Sequence, residues 1–349
     1  MKERKTLQPD KQQTSIFATR RTSFLLLAVA LCGIGIGIGA ERAVNAYSIY
    51  KKSVPDSEFF KETRSQEAEN KFSFINPLIG FETPEVEYKN LEEKINTLIT
   101  QPDIAEKITN ISIYFGNLET GQWVGINENE AYDPASLLKV PLMMAYFKFA
   151  EQQPDLLNTP IYYGDKEIKT LSQTVGADQS TRLVKGHSYL ADDLIREMIV
   201  HSDNVALYLL ANHLPKRDLD NLYTDLGIGI GTVSEYTISA KTYSLFFRTL
   251  YNATLLSRES SEKALTILSK AEFTKALAAG VPEGIDVAHK FGIFDTIKNG
   301  RTISTELHDC GIIYTSSPYL LCVMTKGNST DQLTDVISKI SELVYQSTQ

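Results

Sequence analysis

The chain has 349 residues, of which 42% are hydrophobic and 22% charged; this is globular usage, with room for one large domain plus accessory segments. A formal net charge of −8 gives nucleic acid no basic footprint, and the 5 histidines show no H-E-x-x-H pairing of the kind a metallohydrolase needs. The 3 cysteines are too few for a disulfide framework or a zinc cluster, so neither metal nor cofactor is expected.

Residues 1–23 hold six Lys/Arg against two acids and form a basic leader. Phe24–Ala40 follows, 17 apolar or glycine residues without a charge, which meets the lower length limit for crossing a bilayer. Positive charge ahead of such a segment keeps the N-terminus inside and exports the rest. The expectation is a single-pass signal-anchor in the cell membrane with the body outside the cytoplasm. Cleavage near Ala40, giving a secreted protein, is the alternative. Residues 41–88, with prolines at 55, 77 and 84, read as a stalk that becomes ordered near Phe72–Phe81.

From residue 89 the pattern is that of a folded domain. Leu91, Ile95, Leu98 and Ile99 mark an amphipathic helix. Ile111–Phe115 and Gln122–Ile126 read as a hairpin, followed by Asp133-Pro134-Ala135 and an apolar helix from Ser136 to about Glu151. The middle of the chain is helical: a face of Leu190, Leu194, Met198 and Ile199, a helix from about Asn204 to Leu214, and another from Ser239 to Tyr251. Strands return at Asp286–Phe294, Thr302–Tyr314 and Tyr319–Thr325, with a closing helix over Thr330–Tyr345. The fold class is therefore α/β: a mainly antiparallel sheet built from both ends of the chain, flanking helices, and an all-helical subdomain at about 137–250. Cys310 and Cys322 flank a turn at Thr315–Pro318; two free buried thiols are expected, with pairing across the turn as the alternative.

Three short motifs carry chemistry. In Ser136-Leu137-Leu138-Lys139 a serine hydroxyl gains a base three residues on, the spacing that shares a helix face. Backbone N–H groups at the start of that helix suit an oxyanion. Ser260-Ser261-Glu262-Lys263 has the same spacing, but its charged surroundings mark an ordinary helix start. Ser202-Asp203-Asn204 sits between two predicted helices, where an N-cap is the structural reading and a proton relay with a substrate-holding amide the functional one. Lys290-Phe291-Gly292 lies in a strand, with Lys290 able to supply positive charge and Gly292 to admit an extended ligand. Lys298-Asn299-Gly300 matches it, but Asn-Gly between two β-rich runs is a hairpin signal.

Taken together and in this order, the three motifs resemble the class A β-lactamase and penicillin-recognising serine enzyme family over residues 89–349. The resemblance implies a sheet domain and a helical subdomain with the active site between them. It implies that Ser136 is acylated, Lys139 is the general base, Ser202 relays protons, and Asn204, Lys290 and Gly292 bind substrate. Ser136 and Ile293 would supply the oxyanion-hole N–H groups. The implied partner is a β-lactam or a peptidoglycan stem peptide, handled by a monomer.

Two departures bear on turnover. The interval Leu226–Ile238 is short for the family's deacylation loop, and Glu235 is its one acid, the sole candidate there to activate water. Phe291 stands where the family has Thr or Ser, whose hydroxyl helps hold a substrate carboxylate. These departures keep open a D,D-peptidase or esterase with slow deacylation, and a non-catalytic binding protein on the same fold.

Overall fold

The computed structural model describes residues 63–64, 72–76, 78–80, 86–164, 181–215, 221, 224 and 237–349. Phe24–Ala40 and Glu235 lie outside the described residues. Among those described, no helix is long and apolar enough to cross a membrane.

Six strands form the main sheet: β1 (Val86–Glu87), β2 (Ile108–Asn117), β3 (Gln122–Ile126), β4 (Asp286–Lys298), β5 (Arg301–Tyr314) and β6 (Tyr319–Gly327). Their order is β4-β5-β6-β2-β3-β1, so β6 pairs with β2 and joins the two ends of the domain. Every pairing is antiparallel except β1 with β3. Among the described residues the helices are α1 (Lys89–Ile99), α2 (Pro102–Ala105), α3 (Lys139–Ala150), α4 (Ala191–Val200), α5 (Asn204–His213), α6 (Ala240–Tyr251), α7 (Arg258–Leu268) and α8 (Thr330–Thr348).

Alternation along the strands divides the core in two, because successive side chains leave a strand on opposite faces. Ile111, Ile113, Phe115, Leu321 and Val323 pack beneath α1 and α8, which bring Leu91, Ile95, Val336, Ile337 and Ile340. Tyr114, Leu320, Met324 and Ile312 face the helical layer of α3 to α7. Helix α3 runs through that layer with Val140 to Phe147 all buried, which explains why its sequence is apolar on every side. Each such aliphatic side chain contributes roughly 1.5–3 kcal/mol on burial.

Cys310 and Cys322 are directly paired positions of β5 and β6, with Cα atoms 3.9 Å apart, and are joined by a disulfide. This corrects the expectation of two free thiols. The physical reason is register: the Thr315–Pro318 turn sends both side chains out of one face at the same rung, which sequence separation does not specify. The segment Phe72–Asn76 docks on the helical layer. Glu262 accepts the N–H groups of Ser73, Phe74 and Ile75 at 2.8, 2.8 and 3.1 Å, and Tyr314 donates to Phe74 O at 3.0 Å.

Candidate active site

Ser136 sits half-buried in a 3₁₀ turn, Ala135–Leu138, that precedes α3 rather than in the helix itself. Several bonds hold this turn. Asp133 N–H donates to Glu306 Oε2 at 3.1 Å, and the His308 ring contacts Asp133 O at 3.0 Å; both partners rise from β5. Tyr243 of α6 donates to Leu137 O at 3.0 Å. Burial would push Glu306 up, yet hydrogen bonds from His308 and Lys326 hold it at about 2, so it remains a carboxylate. Ala135 has φ +46°, a left-handed conformation that costs a non-glycine residue of order 1–3 kcal/mol and recurs at functional sites.

Lys139 is fully buried at the start of α3. Its Nζ donates to Ser202 O at 2.5 Å, Ser202 Oγ at 3.0 Å and Asn204 Oδ1 at 2.8 Å. The amine therefore engages the Ser202-Asp203-Asn204 junction, and Ser136 Oγ is not among its partners. Desolvation lowers its pKa from 10.5 to about 7, against a smaller opposing pull from Asp203.

The Ser202 junction serves both readings of its motif. Asp203 caps α5 by accepting from Ala206 N–H at 2.8 Å, while Ser202 and Asn204 meet Lys139. Ser202 also has a left-handed φ, +55°. Lys290, on β4, donates to the same Ser202 Oγ at 3.0 Å and to Phe291 O at 2.9 Å. Burial and the charge of Lys139 hold its pKa well below the ordinary lysine value. One hydroxyl thus lies between two buried amines, one from the helical layer and one from the sheet.

Gly292 lies against the serine turn. A Cβ there would stand 3.0 Å from Pro134 O, 3.2 Å from Ser136 N and 3.3 Å from Ala135 Cβ. The backbone approaching Gly292 is the chain's own Ser136 turn, and this contact brings the Ser136 N–H beside the strand that carries Ile293. Gly292→Ala is expected to displace the turn by a few tenths of an ångström. Acylation should slow by about tenfold or more with the melting temperature little changed; stopped-flow labelling alongside calorimetry would check it.

The two decoy motifs are structural. The Ser260 hydroxyl and N–H both meet the hydroxyl of Ser257, which caps α7. Lys263 pairs with Asp192 at 2.5 Å and lies over the Phe147 ring. Asn299 and Gly300, with φ of 53° and 73°, turn β4 into β5. Sequence reasoning missed Glu306, His308 and Phe273. Phe273 stacks on Phe291, with centroids 3.9 Å apart and planes at 20°. None of the three sits in a local motif, since each acts on residues 18 to 175 positions away.

The sheet, the helical layer and the serine turn between them are those of the penicillin-recognising serine enzymes. A profile of the beta-lactamase enzyme family matches residues 90–348, and the chain belongs to that family. Among solved structures, PBP-A shares 21% identity and a TM-score of 0.63, covering 76% of this chain and 98% of its own. A substituted PBP-A described as an acyl-enzyme complex with penicillin G shares 22% at a TM-score of 0.62, covering 76% and 98%. A beta-lactamase from Chitinophaga pinensis shares 19% at 0.62, covering 74% and 100%. No curated protein sequence matches the chain significantly.

Proposed function

We propose that the chain is a membrane-anchored, extracytoplasmic serine acyl hydrolase that forms an acyl-enzyme on Ser136 with a β-lactam or a cell-wall peptide. The observation that carries this reading is the Lys139–Ser202–Lys290 hydrogen-bond chain beside the Ser136 turn. Desolvation lowers the pKa of both lysines that share this hydroxyl, and the charge of Lys139 lowers Lys290 further. Lys139 accordingly gives up its proton near neutral pH and can take one from Ser136.

Ser136 Oγ then bonds to the acyl carbon, and the negative charge collects on the carbonyl oxygen, met by the Ser136 and Ile293 N–H groups. As the bond to the leaving nitrogen breaks, the proton held on Lys139 passes through Ser202 to that nitrogen. Asn204 keeps Lys139 oriented through its 2.8 Å bond. Water finally cleaves the ester. With the short Leu226–Ile238 interval and Glu235 as its one acid, this last step is the slow one, as in a penicillin-binding D,D-peptidase. The basic leader and Phe24–Ala40 support placement outside the cytoplasm.

One experiment addresses chemistry and location together. A membrane-impermeant fluorescent probe for activated serines, added to intact cells, should label the protein in the membrane fraction. Ser136→Ala should abolish labelling and Ser260→Ala should leave it unchanged. Labelling that survives Ser136→Ala would overturn the nucleophile, and labelling only after lysis would overturn the topology.

A further inference from the structure

The loop after α7 crosses from the helical layer to the sheet beside the site, and it is fastened at both ends. At its start, Glu272 N–H donates to the carbonyl of Val200, the last residue of α4, at 3.0 Å. The Glu272 carboxylate lies 3.0 Å from both His201 and Arg182. The contact with His201, backed by Arg182, holds its pKa below the ordinary carboxylate value. At the other end Leu277 N–H donates to the buried Asp309 Oδ2 at 3.1 Å, while Asp309 Oδ1 meets the His289 ring at 2.8 Å. Between the two ends Phe273 lies flat on Phe291, the residue paired with Asp309 in the β4–β5 ladder.

Each fastening point is a chain neighbour of a motif residue. Val200 and His201 precede Ser202, and His289 and Phe291 flank Lys290. Lys290 Nζ donates to Phe291 O at 2.9 Å and stands 4.0 Å from the centroid of that ring, so fixing Phe291 fixes the amine. The amine reaches across to Ser202 Oγ at 3.0 Å. A hydroxyl that accepts from Lys290 keeps its own hydrogen free to turn toward a leaving nitrogen. Ser202 also holds a left-handed φ of +55°, a conformation that its surroundings must sustain. Misplacing a reacting group by about 1 Å can cost ~10²-fold in rate, so the gap between these two residues matters.

We propose that Glu272 and Phe273 are positioning residues, a brace across the cleft that holds Ser202 and Lys290 at the separation needed to protonate the leaving group. This rests on the acyl-enzyme reading and adds to it two residues outside the motifs. In the step concerned, the acyl carbon–nitrogen bond breaks and the nitrogen takes the Ser202 hydrogen. Ser202 is made whole by the proton that Lys139 removed from Ser136. The brace therefore serves leaving groups that need a proton and is idle for those that depart without one. Penicillin G belongs to the first kind, since its nitrogen leaves as an amine. A fluorophosphonate belongs to the second: Ser136 Oγ bonds to phosphorus, its proton goes to Lys139, and fluoride departs as the anion.

These two reagents test the proposal on the full-length protein in detergent, with adduct formation followed by mass spectrometry. Phe273→Ala is expected to slow acylation by penicillin G about tenfold or more while leaving fluorophosphonate labelling little changed. Phe273→Tyr keeps the ring and should restore the penicillin rate. Glu272→Ala removes a side chain that is 57% exposed, so the fold is retained, and should slow penicillin in the same direction by less. Equal losses on both reagents would mean a merely structural role and would overturn the proposal. So would an unchanged penicillin rate in Phe273→Ala, or in Glu272→Ala should Phe273→Ala fail to fold. Either result leaves fluorophosphonate labelling dependent on Ser136. Labelling that survives Ser136→Ala would instead overturn the acyl-enzyme reading, and the proposal with it.

Discussion

Replacing Lys139 by alanine is expected to slow acylation of Ser136 by ~10²–10⁴, the usual worth of a positioned general base. Lys139→Arg should be as slow as alanine, although a guanidinium can keep bonds to Ser202 and Asn204, because it cannot release its proton. In the unaltered protein the acylation rate should climb with pH through about 7 and then level off. The sign follows from the amine being the active form: below 7 it is protonated, and each further pH unit removes about tenfold of the base. A solvent-exposed lysine would place that rise near 10.5. The same shift reaches stability. Between about 7 and 10.5 the unfolded lysine holds a proton that the buried one has lost, so stability gains with pH across that window. Rapid-mixing kinetics with a serine-directed probe from pH 5.5 to 9, roughly, would show the rise. A flat profile would dismiss Lys139 as the base.

The second large effect concerns release. At saturating penicillin, a covalent adduct should accumulate on Ser136 and persist ~10²–10⁴ longer than in an enzyme with a positioned deacylation base. Attack needs Ser136 and an amine that accepts its proton, and the Lys139–Ser202–Lys290 chain supports that step. Hydrolysis also needs a water activated over the ester, for which the interval Leu226–Ile238 offers only Glu235. Mass spectrometry after a penicillin pulse would follow the adduct and its decay. Prompt release of hydrolysed drug would refute slow deacylation and make Glu235 the first residue to replace.

Much of the fold was legible because it depends on local periodicity. The alternation of Ile111 to Phe115, the apolar run after Ser136 and the Asn299-Gly300 turn each report a backbone preference or a burial pattern within a few residues. The motif residues Ser136, Lys139, Ser202, Asn204 and Lys290 were likewise visible, since chemistry restricts which side chains can serve.

What those residues do to one another was not visible, because it depends on contacts between segments far apart in the chain. Spacing three apart put Lys139 beside Ser136, whereas packing of α3 against the α4–α5 junction turns its amine to Ser202 and Asn204. Gly292 reads as room for a ligand, and packing adds a second demand, since a Cβ there would crowd Pro134–Ser136. Phe291 reads as a missing hydroxyl until Phe273 is found stacked on it and Lys290 above it. Register decided the Cys310–Cys322 bond in the same way. By itself, then, the sequence determined the elements, the sheet drawn from both chain ends and the motifs that carry the candidate site, all of which follow from local preference and side-chain chemistry. Hydrogen-bond partners, burial and the depressed lysine pKa values were decided by the tertiary structure alone, because desolvation and proximity arise only when distant segments meet.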